Sequence, residues 1–217
     1  MGADVRPLLA VVLVAARLLP GCVAPYKVTV DAGALARTGI PWTRADHGTG
    51  PLLETTYTAD PSSQPPYPGT LQLFALRDGA RRSNEELLAL TRSSVENATA
   101  ENGIAIQGAG TQGTRTLRNG LATQWFALEG TVSSSSALFQ EQTRVRILGE
   151  AGFDGRSGTH VIAVAIAQVE SITCVLPGAC QTRTDLRNWT AIVGDTKGSI
   201  DDAVSQNGLI DNLVSHG

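Results

Sequence analysis

The chain has 217 residues, of which 42% are hydrophobic and 17% charged, the balance of a single globular domain of ordinary size. The net charge is −3, opposite in sign to the basic face that a nucleic-acid binder carries, so no nucleic-acid partner is expected. The three cysteines divide into Cys22 near the start and Cys174 with Cys180 near the end, and an odd count in an exported protein gives one of them a separate role.

The first element is a targeting segment. Arg6 supplies a short basic region, Pro7 to Ala16 is apolar, and Leu18-Leu19-Pro20-Gly21-Cys22 follows. Leu19, Gly21 and Cys22 resemble the bacterial lipobox, in which an aliphatic residue and a small residue precede a cysteine that receives diacylglycerol. Arg17 interrupts the apolar run, and Pro20 is an uncommon filler. A transmembrane helix is the rival reading, but Leu8 to Leu19 would span only about 18 Å of a hydrocarbon core roughly 30 Å thick. Residues 1–21 are therefore expected to be a lipoprotein signal peptide, outside the fold. Cys22 is expected to carry lipid, palmitate included, and two or more acyl chains make a durable tether where one does not. Removal of the signal takes away two arginines and one aspartate and leaves a net charge of −4.

Residues 22–38 read as a tether and lead-in, with Tyr26 to Val30 a candidate strand, and residues 39–217 as one domain. Leu52 to Ala59 and Thr70 to Arg77 read as strands, joined by a proline-rich connection that cannot be helical. A helix begins at Ser83, whose S-x-x-E spacing to Glu86 is a capping box. Leu87, Leu88, Thr91, Val95 and Ala98 fall on one helical face, and Gly103 suits the left-handed residue that ends the helix.

Ile104 to Gln107 opens a second run of strands. Asn119-Gly120 between Arg115–Arg118 and Leu121–Leu128 signals a hairpin, with positive φ expected at both turn residues. Ser133 to Ser136 reads as a connection. Leu138 to Leu148 alternates as a strand should, and 149–158 reads as a loop. Thr159 to Val169 is apolar on both faces, the pattern of a central strand covered on both sides, with Ala163, Ala165 and Ala167 small enough for a helix to approach closely. Asp185 to Val193 reads as a second helix, and Ser199–Val204 and Leu209–Val214 as shorter helical pieces. One helix on each face of a mostly antiparallel sheet, an α+β architecture, satisfies these elements.

This order of elements, with Ile40-Pro41-Trp42 ahead of two strands, Leu117-Arg118-Asn119-Gly120 before a strand, the apolar strand 160–169 and a closing helix with Trp189, resembles the PsbP-like superfamily. That group includes photosystem extrinsic proteins and small bacterial lipoproteins of the DcrB and LpqN kinds. The resemblance spans roughly residues 26–200. It implies an α-β-α sandwich without a cofactor and a binding or accessory role, and it carries no catalytic motif to transfer.

Few residues suggest chemistry. Gly108-Ala-Gly110-Thr-Gln-Gly113 has G-x-G-x-x-G spacing, but a hairpin follows where a dinucleotide site needs a helix, so an inter-strand turn is expected. His47, His160 and His216 are scattered, with no metal-ligand spacing among them. Cys174 and Cys180 flank Pro177-Gly178, a turn that brings the two sulfurs together, and a disulfide is expected in an oxidising compartment. A redox-active pair would have the tighter C-x-x-C spacing. Arg144 and Arg146, joined by Arg115 and Arg118, form a candidate anion-binding face, against the plainer reading of a solvated sheet edge.

The expectation is a membrane-anchored extracytoplasmic lipoprotein with a non-catalytic binding or accessory role. Its partners would be the membrane, through lipid on Cys22, and an envelope protein or a small-molecule ligand. The alternative is an extracytoplasmic hydrolase whose site is dispersed along the chain. A pocket gathering His47 or His160 with a carboxylate and a hydroxyl would favour that alternative.

Overall fold

The computed structural model describes residues 26–48, 51–60, 68–77, 79–136, 138–175, 178–184, 186–194 and 207–216. Cys22 and the signal segment lie outside them, as do the proline-rich connection 61–67 and the helical piece expected at Ser199–Val204. The elements in chain order are β1 (Lys27–Val30), α1 (Ala32–Arg37), β2 (Trp42–His47), β3 (Leu52–Ala59), β4 (Gly69–Leu76) and α2 (Asn84–Glu101). They continue with β5 (Ala105–Thr116), β6 (Ala122–Ser135), β7 (Phe139–Asp154), β8 (Thr159–Val175), β9 (Ala179–Thr184), α3 (Arg187–Val193) and β10 (Leu213–His216).

The protein is α+β. Strands β2 to β9 form one antiparallel sheet in the order β2-β3-β4-β8-β7-β6-β5, with β9 pairing to β8 beyond the end of β4. Strand β8 lies in the middle, and its two-sided apolar pattern is why. Val161, Ala163, Ala165 and Ala167 enter one core with Trp189 and Ile192 of α3. Ile162 and Val164 enter the other with Leu87, Leu88 and Val95 of α2. The alanines leave room for the Trp189 indole, which is almost fully buried.

Helix α2 forms where the sequence places it. Glu86 N–H donates to Ser83 Oγ (3.1 Å) and Ser83 N–H donates back to Glu86 Oε2 (2.9 Å), closing the capping box. Gly103 follows the helix with φ 70°. Leu87, Leu88, Thr91, Val95 and Ala98 are its buried residues together with Thr99. Burying a leucine side chain stabilises by about 1.5–3 kcal/mol, so the two leucines and Val95 bind this helix to the sheet more firmly than its cap does.

The opposite face differs from the expected single helix. Helix α3 has only seven residues, about 10 Å of axis, too short to cover eight strands. A second, two-stranded sheet completes the cover, with β1 paired antiparallel to β10. Tyr26, Val28, Val30 and Leu213 enter the core there, and Val30 N–H donates to the Tyr57 hydroxyl at 3.1 Å. The lead-in from Tyr26 onward is thus part of the packed body. The piece expected as helix at Leu209–Val214 is instead a 3-10 turn (Ile210–Asn212) running into β10, because β1 offers it a ladder.

Three other expectations are corrected. Strand β7 runs on to Asp154 through the first half of the stretch read as a loop, leaving 155–158 as the turn, and Gly149 serves close packing: a Cβ there would lie 2.2 Å from the Phe126 ring. Gly108-Ala-Gly110 sits inside β5 as a bulge, with φ 69° at both glycines, where an inter-strand turn was expected. A Cβ on Gly110 would lie 2.4 Å from the Ala127 carbonyl oxygen, so the bulge requires glycine there. In the β5–β6 turn, Gly120 has positive φ (85°) and Asn119 does not. Gly120 N–H closes the turn on the Leu117 carbonyl (2.8 Å), and the Asn119 side chain accepts from Leu121 N–H (3.0 Å).

Candidate functional site

A cleft of about 990 Å³ opens at the end of the sheet where Tyr26 leads into β1. Two tight turns build its walls. The β5–β6 turn contributes Asn119, Gly120 and Leu121, and the β7–β8 turn contributes Phe153 to Ser157. Arg77 comes from the end of β4, and Leu213 to Ser215 from β10. The Asn119 amide donates to the Leu213 carbonyl (3.2 Å), which fixes the hairpin against the small sheet.

Asp154 organises the floor. Its Oδ2 accepts from the Tyr26 hydroxyl (2.8 Å) and the Ser157 hydroxyl (2.9 Å), and its Oδ1 accepts from Arg156 N–H (3.0 Å). Partial burial opposes ionisation of Asp154, but the bonds from Tyr26, Arg156 and Ser157 outweigh it and hold the carboxyl below the usual carboxylate range. Burial pushes the Tyr26 phenol up, with the Asp154 charge adding to the effect against opposing bonds from Ser157 and Ser215. The arrangement is a neutral phenol and a neutral serine hydroxyl donating to a fixed carboxylate. That spends the Ser157 proton on Asp154 and locks the turn.

Behind the cleft, Arg81 stacks on Phe153 (5.7 Å to the ring centroid), and Phe153 meets the His160 ring at 4.9 Å. His160 is buried, its Nε2 is 2.8 Å from the Ala80 carbonyl oxygen, and its Nδ1 has no hydrogen-bond partner among the described residues. His47 stands opposite Glu54 in the β2–β3 ladder, with the Thr56 hydroxyl donating to Glu54 (2.7 Å). His47 is exposed, and neither it nor Glu54 lines the cleft. His216 pairs with Lys27 in the β1–β10 ladder. Among the described residues no group of three or more His, Cys, Asp or Glu is placed to hold a metal ion, and no helix is long and apolar enough to cross a membrane.

The cysteine pair is joined. Cys174 and Cys180 face each other across β8 and β9 with Cα atoms 3.9 Å apart and form a disulfide. The four arginines read as an anion-binding face each meet an acid. Arg144 bridges Glu170 (3.0 Å) and Glu129 (3.2 Å), and these bonds, Glu170's first, hold its guanidinium still more firmly protonated than usual. Arg146 pairs with Glu129 (3.2 Å) and lies over the Trp189 ring (5.9 Å). Arg115 grips Glu150 with two hydrogen bonds, and Arg118 approaches Asp211 (3.7 Å). Neighbouring strands supply Glu129 and Glu170 to the arginines of β7, so that part of the face carries its own counter-charges.

Sequence reasoning missed Tyr26 and Asp154 as a pair. The signal available was local only: Asp154-Gly-Arg-Ser157-Gly158 has the composition of a turn held by its first side chain. The chain matches no family model and no curated protein.

Proposed function

We propose that this protein is an extracytoplasmic lipoprotein, tethered through lipid on Cys22, whose PsbP-like domain binds a ligand or envelope partner without transforming it. The α+β fold supports the PsbP-like reading through the antiparallel sheet flanked by α2 and α3. The observation that carries the binding role is the cleft. Its one carboxylate is spent on three hydrogen bonds that hold shape, and its walls combine Leu121 and Phe153 with the amide of Asn119 and the guanidinium of Arg156. Such a lining suits a small molecule with a polar head and an apolar body. Cys22 precedes Tyr26 by four residues, so the tether would keep the cleft close to the membrane.

Two measurements test this reading. Cys22→Ser should release the protein from the membrane fraction, and unchanged retention would count against the anchor. Native mass spectrometry of the purified full chain should find a bound small molecule that Leu121→Trp, by filling the cleft, displaces. Turnover of a generic ester that is lost in Ser157→Ala would favour the hydrolase instead.

A further inference from the structure

The opposite end of the sheet carries a second feature. Strand β7 has 16 residues, so Phe139 stands about 50 Å from Asp154 and from the Tyr26 that bonds it. There the ends of β6, β7, β8 and β9 lie side by side. Phe139 pairs with Val175, and Val175 with Ala179, in one row across three strands. Leu138 is 62% exposed, and Phe139 and Val175 are each 49% exposed, which makes this the largest grouping of exposed apolar side chains among the described residues.

Two observations select what these exposed side chains meet. No ionisable residue occurs from 130 to 140 or from 171 to 182, although 17% of the chain is charged. Serines 133 to 136 and the Gln and Thr side chains of these strands form an uncharged polar rim. Second, the described residues here bond their own backbone: Ser136 N–H donates to the Phe139 carbonyl (2.8 Å), Phe139 N–H to Ser136 Oγ (3.1 Å) and Gly178 N–H to the Val175 carbonyl (2.8 Å). Charge removal and internal satisfaction of backbone groups are what the apolar part of a bilayer demands, whereas a protein partner tolerates charge at the rim. The Cys174–Cys180 disulfide sits one residue behind the apolar row and holds the second turn to β8.

We infer that this end of the sheet inserts shallowly into a lipid bilayer through Leu138, Phe139 and Val175. This rests on residues separate from Cys22. If both ends are engaged, the domain lies lengthwise along the membrane, because the tether and the tip are at opposite ends of β7.

The test places a reporter at the tip. Phe139→Trp in the full chain, with the wild-type spectrum subtracted to remove Trp42, Trp125 and Trp189, is titrated with phosphatidylcholine–phosphatidylglycerol vesicles. The expected result is a blue-shifted emission, quenched more by lipids brominated near the headgroup than by lipids brominated near the bilayer centre. In a Cys22→Ser background, which carries no acyl chain, Leu138→Asp with Val175→Asp should lower vesicle partitioning by about tenfold or more, with an unchanged thermal melt, and unchanged partitioning would count against the inference. Emission unaltered by vesicles would overturn the inference. So would a blue shift without vesicles that grows with protein concentration, which would assign the tip to a second copy of the chain. Because the reporter reads the tip alone, a Cys22→Ser variant that stays on membranes would leave this result standing.

Discussion

The Tyr26 hydroxyl donates a 2.8 Å hydrogen bond to Asp154 Oδ2, joining two residues 128 positions apart. It fixes the start of the small sheet to the β7–β8 turn and thereby sets the cleft. The bond also makes stability depend on pH at both ends of the range. Asp154 has its folded-state pKa depressed, so its contribution is present above the ordinary carboxylate pKa and is lost as pH falls below about 4. Tyr26 has its folded-state pKa raised, so its contribution is present below the ordinary phenol pKa and is lost as pH rises above about 10. Tyr26→Phe should cost about 1–2 kcal/mol in urea denaturation at neutral pH and flatten both limbs of the stability curve. A variant whose acid and alkaline limbs match the wild type would show that the bond contributes nothing in solution.

Glu150 presents a larger effect four residues earlier on the same strand. It is 2% exposed and accepts two hydrogen bonds from Arg115 and one from Thr123. Glu150→Ala would leave the largely buried Arg115 guanidinium without its acid and should cost about 3–5 kcal/mol. Replacing both partners, Arg115→Met with Glu150→Leu, should recover most of that loss, since the pair's desolvation cost disappears with it. Chemical denaturation of the two variants decides the point: equal losses would mean that the pair itself, and not the arginine deprived of Glu150, governs stability.

Close packing at Gly149 gives a third prediction. The site is buried and a methyl group would overlap the Phe126 ring at 2.2 Å. Gly149→Ala should destabilise by about 1–3 kcal/mol, and adding Phe126→Leu should return part of it by removing the obstructing atoms. Thermal melts of the single and double variants measure the coupling. Additive losses would show that the backbone of β7 moves aside instead.

Some of this architecture is legible locally. The capping box at Ser83 and Glu86, the helical stripe from Leu87 to Ala98 and the two-faced strand around Ala163 depend on neighbours within one element, and periodicity reveals them. The pairing of Cys174 with Cys180 depends on a single turn between them. Long-range pairing is not visible in this way. Residues 213–216 have no intrinsic need to be a strand and become one because β1, from the other end of the chain, supplies the ladder. Gly149 and Gly152 read as loop residues because glycine's commonest use is a turn, yet here they make room for Phe126 and for the Ala122 carbonyl inside the sheet.

The same division applies to chemistry. Sequence by itself determined the elements whose periodicity is written in consecutive residues, and it raised the expectation of a lipid tether at Cys22. Only the tertiary structure decided that the arginines at 144 and 146 meet Glu129 and Glu170, that Tyr26 closes on Asp154, and that an uncharged apolar row crosses three strands at the far end. The physical reason is that counter-charges and cross-strand neighbours are set by register between strands, and register depends on how the whole sheet buries its two faces.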